Sequence, residues 1–182
     1  MKREWVKRLG TALLSVALLG VVSVCAGTMA VAQGSSSGQK ATTVLGAAQL
    51  QKMLPSAVYF KGQSATTQLR NSGGLKFGDG SYLLAVLVDT SGYSSEVAQR
   101  YQAYLITEDA VKVGGERLAA GVYGVGFVGG DKFVVMDVGA HDLMTVSSAT
   151  DETMKRPRPL MVTGADGKYR LYEGRRYVTI ER

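Results

Sequence analysis

The chain has 182 residues, a formal net charge of +6, 46% hydrophobic and 20% charged residues, and one residue each of Cys, His and Trp. With Cys25 as its only cysteine, it holds no internal disulfide framework and no thiolate metal cluster. The positive charge is concentrated at the start, in Lys2, Arg3, Lys7 and Arg8, and removing that end brings the charge down to +3. So nearly even a balance argues against a nucleic-acid or anionic membrane-surface role.

Residues 1–32 have the layout of a cleaved export signal. The basic start precedes an apolar run from Thr11 to Val24, and Ala30-Val31-Ala32 offers small residues at alternate positions, which leaves Gln33 as the new N-terminus. The run is shorter than the roughly 20 residues that cross a bilayer as a helix, so no membrane span is expected after cleavage. Cys25 is a candidate for lipidation, but Val24 before it is bulkier than that processing accepts. The expected location is periplasmic or extracellular. Trp5 and Cys25 both leave with the signal, and a chain of about 150 residues without disulfides must rely on one buried core.

Residues 33–45 read as a flexible spacer, Gly/Ser-rich from Gln33 to Ala41, and residues 46–182 as a single β-domain. A short helix is expected before that domain over Ala47–Leu54, where Leu50, Met53 and Leu54 follow helical spacing and Pro55 ends the run. Strands are expected at Ala57–Phe60, Thr66–Leu69 and Leu75–Phe77. Tyr82–Val88 is apolar on both faces and reads as a strand covered on both sides. Asp89–Ser95 is a polar loop, Glu96–Gln102 allows one helical turn, and Tyr101–Ile106 is again strand-like. Leu143–Val146, Leu160–Val162, Tyr169–Tyr172 and Tyr177–Ile180 complete the set, with turns at Ala165-Asp166-Gly167 and Glu173-Gly174. About ten short strands predict an all-β antiparallel sandwich or small barrel.

Val111–Val138 carries the strongest local signal. Gly114-Gly115 and Gly129-Gly130 separate apolar runs, and two tight turns in series predict a three-stranded meander. With a two-residue turn at Gly129-Gly130, Phe127 faces Lys132, Val125 faces Val134, and Tyr123 faces Met136. Tyr123, Val125, Phe127, Val134 and Met136 then form one core layer, and Phe133 lies over Gly126.

Chemistry is sparse. Gly124 and Gly126 share a strand face and, with Phe133, are the candidates for a ligand floor. The alternative is curvature or close packing. His141, the sole histidine, forms with Asp137 and Asp142 the only concentration of titratable groups around a histidine and is the catalytic candidate; the alternative is that Gly139–Asp142 is a turn on which His141 bonds locally or points to solvent. One imidazole with two carboxylates is a poor zinc set, and no calcium-loop spacing is present, so neither a metal nor a cofactor is expected. Acidic residues such as Asp79, Glu116, Asp131 and Glu173 fall in predicted turns, where solvation accounts for them. Lys155-Arg156, Arg158 and Arg175-Arg176 could meet an acidic partner, but a solvated connector needs none and is the favoured reading.

The pattern Val111-x-Val113-Gly114-Gly115-x-x-Leu118-x-Ala120-Gly121-x-Tyr123 resembles a hairpin of an uncharacterised family of exported bacterial β-domains. Leu54–Gln63, Val88–Ser95, Tyr101–Leu105 and Gly139–Leu143 extend the resemblance over most of the chain after the signal. It implies export and a β-fold and carries no activity, ligand or catalytic residue. The functional expectation is therefore a non-enzymatic binding or structural module for a small molecule, a glycan or an envelope protein. The rival is a periplasmic hydrolase or isomerase centred on His141 with Asp137 or Asp142. A third expectation is an envelope subunit that offers Tyr82–Val88 or the C-terminal strand as an edge for added strands.

Overall fold

The computed structural model describes residues 41–182 apart from Asp166. The expected signal, the spacer up to residue 40 and the centre of the turn at Ala165–Gly167 lie outside the described residues. In chain order the first strands are β1 (Thr43–Gly46), β2 (Ala57–Phe60), β3 (Gln63–Lys76), β4 (Tyr82–Val88) and β5 (Ala103–Thr107). Then come β6 (Val111–Val113), β7 (Glu116–Leu118), β8 (Gly121–Val128), β9 (Lys132–Met136) and β10 (Asp142–Ser147). β11 (Ala149–Thr150), β12 (Arg158–Ala165), β13 (Lys168–Gly174) and β14 (Arg176–Glu181) finish the chain. Two short helices, α1 (Ala47–Leu50) and α2 (Ser95–Arg100), interrupt the β-structure.

The strands form two antiparallel sheets and no closed barrel, which selects the sandwich from the two expected architectures. The first sheet runs β1-β3-β4-β5-β8-β9-β10, with β2 on the N-terminal part of β3. The second runs β12-β13-β14-β6-β7, with β11 on β14. β1 takes in Thr43–Leu45, which the sequence reading gives to the spacer. Leu45 is buried there, and its apolar contact makes these residues part of the folded body.

One core lies between the sheets and includes Leu75, Leu83, Leu105, Val125, Phe127, Phe133 and Val135, which meet Val113, Leu171, Val178 and Ile180. A second lies on the outer face of the first sheet, under α1, α2 and the β2–β3 hairpin, and includes Leu50, Phe60, Leu84, Val86, Tyr101, Val134 and Met136. β4 alternates between them, with Leu83 and Ala85 inward and Leu84 and Val86 outward, which is why its sequence is apolar throughout. β4 lies between β3 and β5, and β14 between β13 and β6, so neither is an edge and the expected docking on them is corrected.

The stretch 111–138 departs from a three-stranded meander. Gly114-Gly115 does close the β6–β7 hairpin, with φ of 58° and 91°. The chain then leaves the second sheet at Ala119-Ala120 and enters the first as β8. The Tyr123 hydroxyl donates to the Ala119 carbonyl at 3.0 Å across this crossing. The β8–β9 loop has three residues, because Asp131 joins Gly130 in the left-handed region (φ 51° and 74°). Aspartate tolerates that conformation better than most residues. Phe127 therefore faces Phe133, Val125 faces Val135, and Gly126 faces Val134. The slip of one residue sends Val134 and Met136 to the outer core and Phe133 and Val135 to the inner one, which overturns the expected layer.

Candidate functional site

The β9–β10 connection holds the three residues the sequence singles out. Asp137 lies at its start and organises it. Its Oδ1 accepts from the Gly139 N–H (2.8 Å) and the His141 N–H (2.9 Å), and its Oδ2 lies 3.0 Å from His141 Nδ1. The backbone closes the same loop, with Asp137 N–H donating to the His141 carbonyl and Ala140 N–H to the Asp137 carbonyl, both at 3.0 Å. Ala140 takes a left-handed φ of 71° to complete it. These donors, the His141 N–H first, hold the Asp137 carboxyl below its ordinary range.

His141 itself projects into solvent, with its side chain 80% exposed. Asp142 does not join the pair. Its carboxylate binds the Arg100 guanidinium at the end of α2. A groove of about 70 Å³ beside the loop is walled by Lys61, Glu96, Val97, Arg100, Met136 and Ala140, with His141 outside it. Small organic ligands usually occupy about 300 Å³ or more. Among the described residues no three His, Cys, Asp or Glu side chains gather as a metal set.

Gly124 and Gly126 lie on the outer face of β8, where other parts of the chain press on them. A Cβ on Gly124 would sit 2.2 Å from Cε2 of Phe60, and one on Gly126 2.2 Å from the Arg100 carbonyl oxygen. Phe60 stacks on Tyr101 with centroids 3.8 Å apart, and Tyr93 meets Tyr101 edge-on at 5.5 Å. The Tyr101 hydroxyl is buried without a hydrogen-bond partner among the described residues, and burial raises its pKa. The glycine face is thus filled by an aromatic cluster and a helix terminus. Phe133 lies on the opposite face, 4.8 Å from Phe127 between ring centroids, instead of over Gly126.

A second polar group closes one end of the inter-sheet core, and its central member, Gln102, is absent from the sequence candidates. β5 begins at Ala103, opposite Val125, so Phe127 on β8 has no strand partner on its β5 side, and the Gln102 side chain takes that place. Gln102 Oε1 accepts from the Phe127 N–H at 2.7 Å, and Nε2 donates to the Phe127 carbonyl at 3.2 Å. Arg176 also donates to the Phe127 carbonyl (3.0 Å) and to Glu173 Oε2 (3.1 Å), and lies 5.3 Å from the Phe127 ring centroid. Arg176 is therefore folded onto the core edge, which corrects its reading as a contact for an acidic partner. Glu173 is half-buried by this arrangement, and desolvation raises its carboxyl above the ordinary value despite Arg176. The available signal was the turn Glu173-Gly174-Arg175-Arg176, which sets Glu173 opposite Arg176 across the hairpin. The apolar slot between Gln102, Phe127, Phe133, Leu160, Leu171 and Glu173 encloses about 10 Å³, enough for about one water.

Fold and site together define a two-sheet antiparallel sandwich whose first sheet is covered on both faces. No protein-family model, curated protein or solved structure matches the chain.

Proposed function

We propose that the chain is an exported β-sandwich that acts by binding, and that its partner is a glycan or envelope protein engaged over the surface. Export rests on the basic, apolar and small-residue layout of residues 1–32, and the likeness to exported β-domains points the same way. The observation that carries the binding reading is the role of Asp137. Both of its oxygens close the loop that holds His141, and the imidazole faces solvent instead of a cleft. A general base needs a proton within hydrogen-bond reach in a substrate-holding site, and the adjacent groove does not include His141. The enzyme reading keeps one observation in its favour, the 3.0 Å contact that orients His141 Nδ1 toward a carboxylate.

A thermal-shift screen against glycans, lipids and envelope-derived peptides tests the binding reading, since a ligand selective for the folded state raises its melting temperature by mass action. At least one class should raise it equally in the wild type and in His141→Ala. A shift that vanishes in His141→Ala would move the argument to the histidine.

A further inference from the structure

We propose that the open end of the β6–β7 hairpin is an oxyanion site, in which Lys112, Arg117 and Arg182 hold a phosphate or sulfate group. The site does not depend on the surface binding described above. β6 and β7 pair antiparallel, with Val111 opposite Leu118, Lys112 opposite Arg117 and Val113 opposite Glu116. Val111, Val113 and Leu118 point into the inter-sheet core, so alternation turns Lys112 and Arg117 together to the outer face of the second sheet. Like charges directly opposite each other in a ladder destabilise it, because their Cβ atoms lie only about 5 Å apart. Glu181 on β14 stands opposite Lys112 on its other side. Among the described residues neither Lys112 nor Arg117 enters an ion pair, with Glu181 or with any other acid.

The third cation is held rigidly. Arg182 follows β14 and binds Asp79 and Asp109, both through Nη2. Its guanidinium lies 4.7 Å from the Phe77 ring centroid, and its side chain is 33% exposed. Its Nε–H and both Nη1–H donors have no partner among the described residues. A guanidinium fixed in place with free donors is suited to bidentate recognition of an oxyanion.

Ala110, Val111, Lys112, Arg117 and Arg182 line a cavity of about 110 Å³, and no carboxylate residue is among them. At about 30 Å³ per water, that is room for roughly three or four waters or for one tetrahedral oxyanion. Such an ion answers both features of the site. It relieves the repulsion between Lys112 and Arg117, and it meets the unused donors of Arg182. A carboxylate brings a single negative charge to three cations, so phosphate and sulfate are the better match.

Melting temperatures in sodium phosphate and sodium sulfate, against sodium chloride of equal ionic strength, test this for the wild type, Arg117→Gln, Lys112→Gln and Lys52→Gln. Both oxyanions stabilise proteins generally by exclusion from their surfaces, and exposed Lys52 reports that background. In chloride, Arg117→Gln should melt at or above the wild type, since one of the two opposed cations is gone. In phosphate the order should invert. The phosphate dissociation constant from calorimetric titration should rise at least about tenfold in Arg117→Gln and in Lys112→Gln, and stay unchanged in Lys52→Gln. Glucose 6-phosphate and glucose separate the sources. Tighter binding of the sugar phosphate than of inorganic phosphate makes the group part of a glycan, and the reverse order makes it a free ion. Equal stabilisation by phosphate in every variant, binding that survives both Arg117→Gln and Lys112→Gln, or an Arg117→Gln variant already less stable in chloride overturns the proposal.

Discussion

Replacing Gly126 or Gly124 by alanine distinguishes a packed strand face from an open ligand floor, because the two accounts differ in sign. On an open face, Gly→Ala in a strand stabilises by about 0.4–1 kcal/mol through the unfolded chain. Here the new methyl of Gly124→Ala would stand 2.2 Å from Phe60 Cε2 and 2.7 Å from its Cζ. Ordinary carbon contacts are about 3.5–4.0 Å, so the ring must retreat by more than an ångström. Behind it lies fully buried Tyr101, stacked at 3.8 Å. Overpacking of this kind costs about 1–3 kcal/mol, roughly 4–12 °C in melting temperature for a domain of this size. Gly126→Ala meets a harder obstacle, the Arg100 carbonyl at 2.2 Å. That backbone is held by Tyr101 N–H to Val97 at 2.8 Å and by Gln102 N–H to Val125 at 2.9 Å, so its cost should reach or exceed the upper end of that range. Thermal and urea melts of both variants measure this, together with the pair Gly124→Ala and Phe60→Leu. The smaller side chain makes room, so the double variant should be more stable than the sum of the single losses by about 0.5 kcal/mol or more. Neutral or stabilising alanines, or strict additivity with Phe60→Leu, would refute the packing argument.

Gln102→Ala leaves the buried Phe127 N–H without an acceptor and should cost about 1–3 kcal/mol by urea titration, with faster amide exchange at Phe127. Tyr101→Phe removes a buried hydroxyl that has no partner among the described residues, and should raise stability by about 1 kcal/mol in the same assay. Glu173 is read through pH. Its folded-state carboxyl lies above the ordinary value, so the folded state binds the proton more tightly and stability falls as pH rises from that value through the raised one. Glu173→Gln should therefore melt higher than the wild type at neutral pH, with the difference closing below about pH 4; a wild type that gains stability over this window relative to the variant contradicts the burial.

Local signals in the sequence reached the strands and one of the two Gly-Gly turns. The unbroken apolar run Tyr82–Val88 had one physical explanation, burial on both faces, and its side chains do alternate between two cores. What failed was loop length. Whether Gly129-Gly130 closes a turn of two residues or shares it with Asp131 depends on one aspartate adopting positive φ, which composition does not encode, and the slip inverts Val134 and Met136. The site divided along the same line. Asp137 and His141 share a short loop, and their contact was foreseeable from spacing. The Arg100 carbonyl over Gly126, the Phe60 ring over Gly124 and the Gln102 amide beside Phe127 join segments far apart in the chain or finish a strand with a side chain, so no local pattern announces them.

The claim that the protein binds without catalysing is tested most directly by turnover. The purified wild type and His141→Ala are compared on a panel of chromogenic esters, peptides and glycosides and on a cis–trans isomerisation substrate. Rates indistinguishable from buffer in both proteins are the predicted result. Turnover by the wild type that falls a hundredfold or more in a folded His141→Ala variant would contradict it and make the Asp137–His141 pair catalytic.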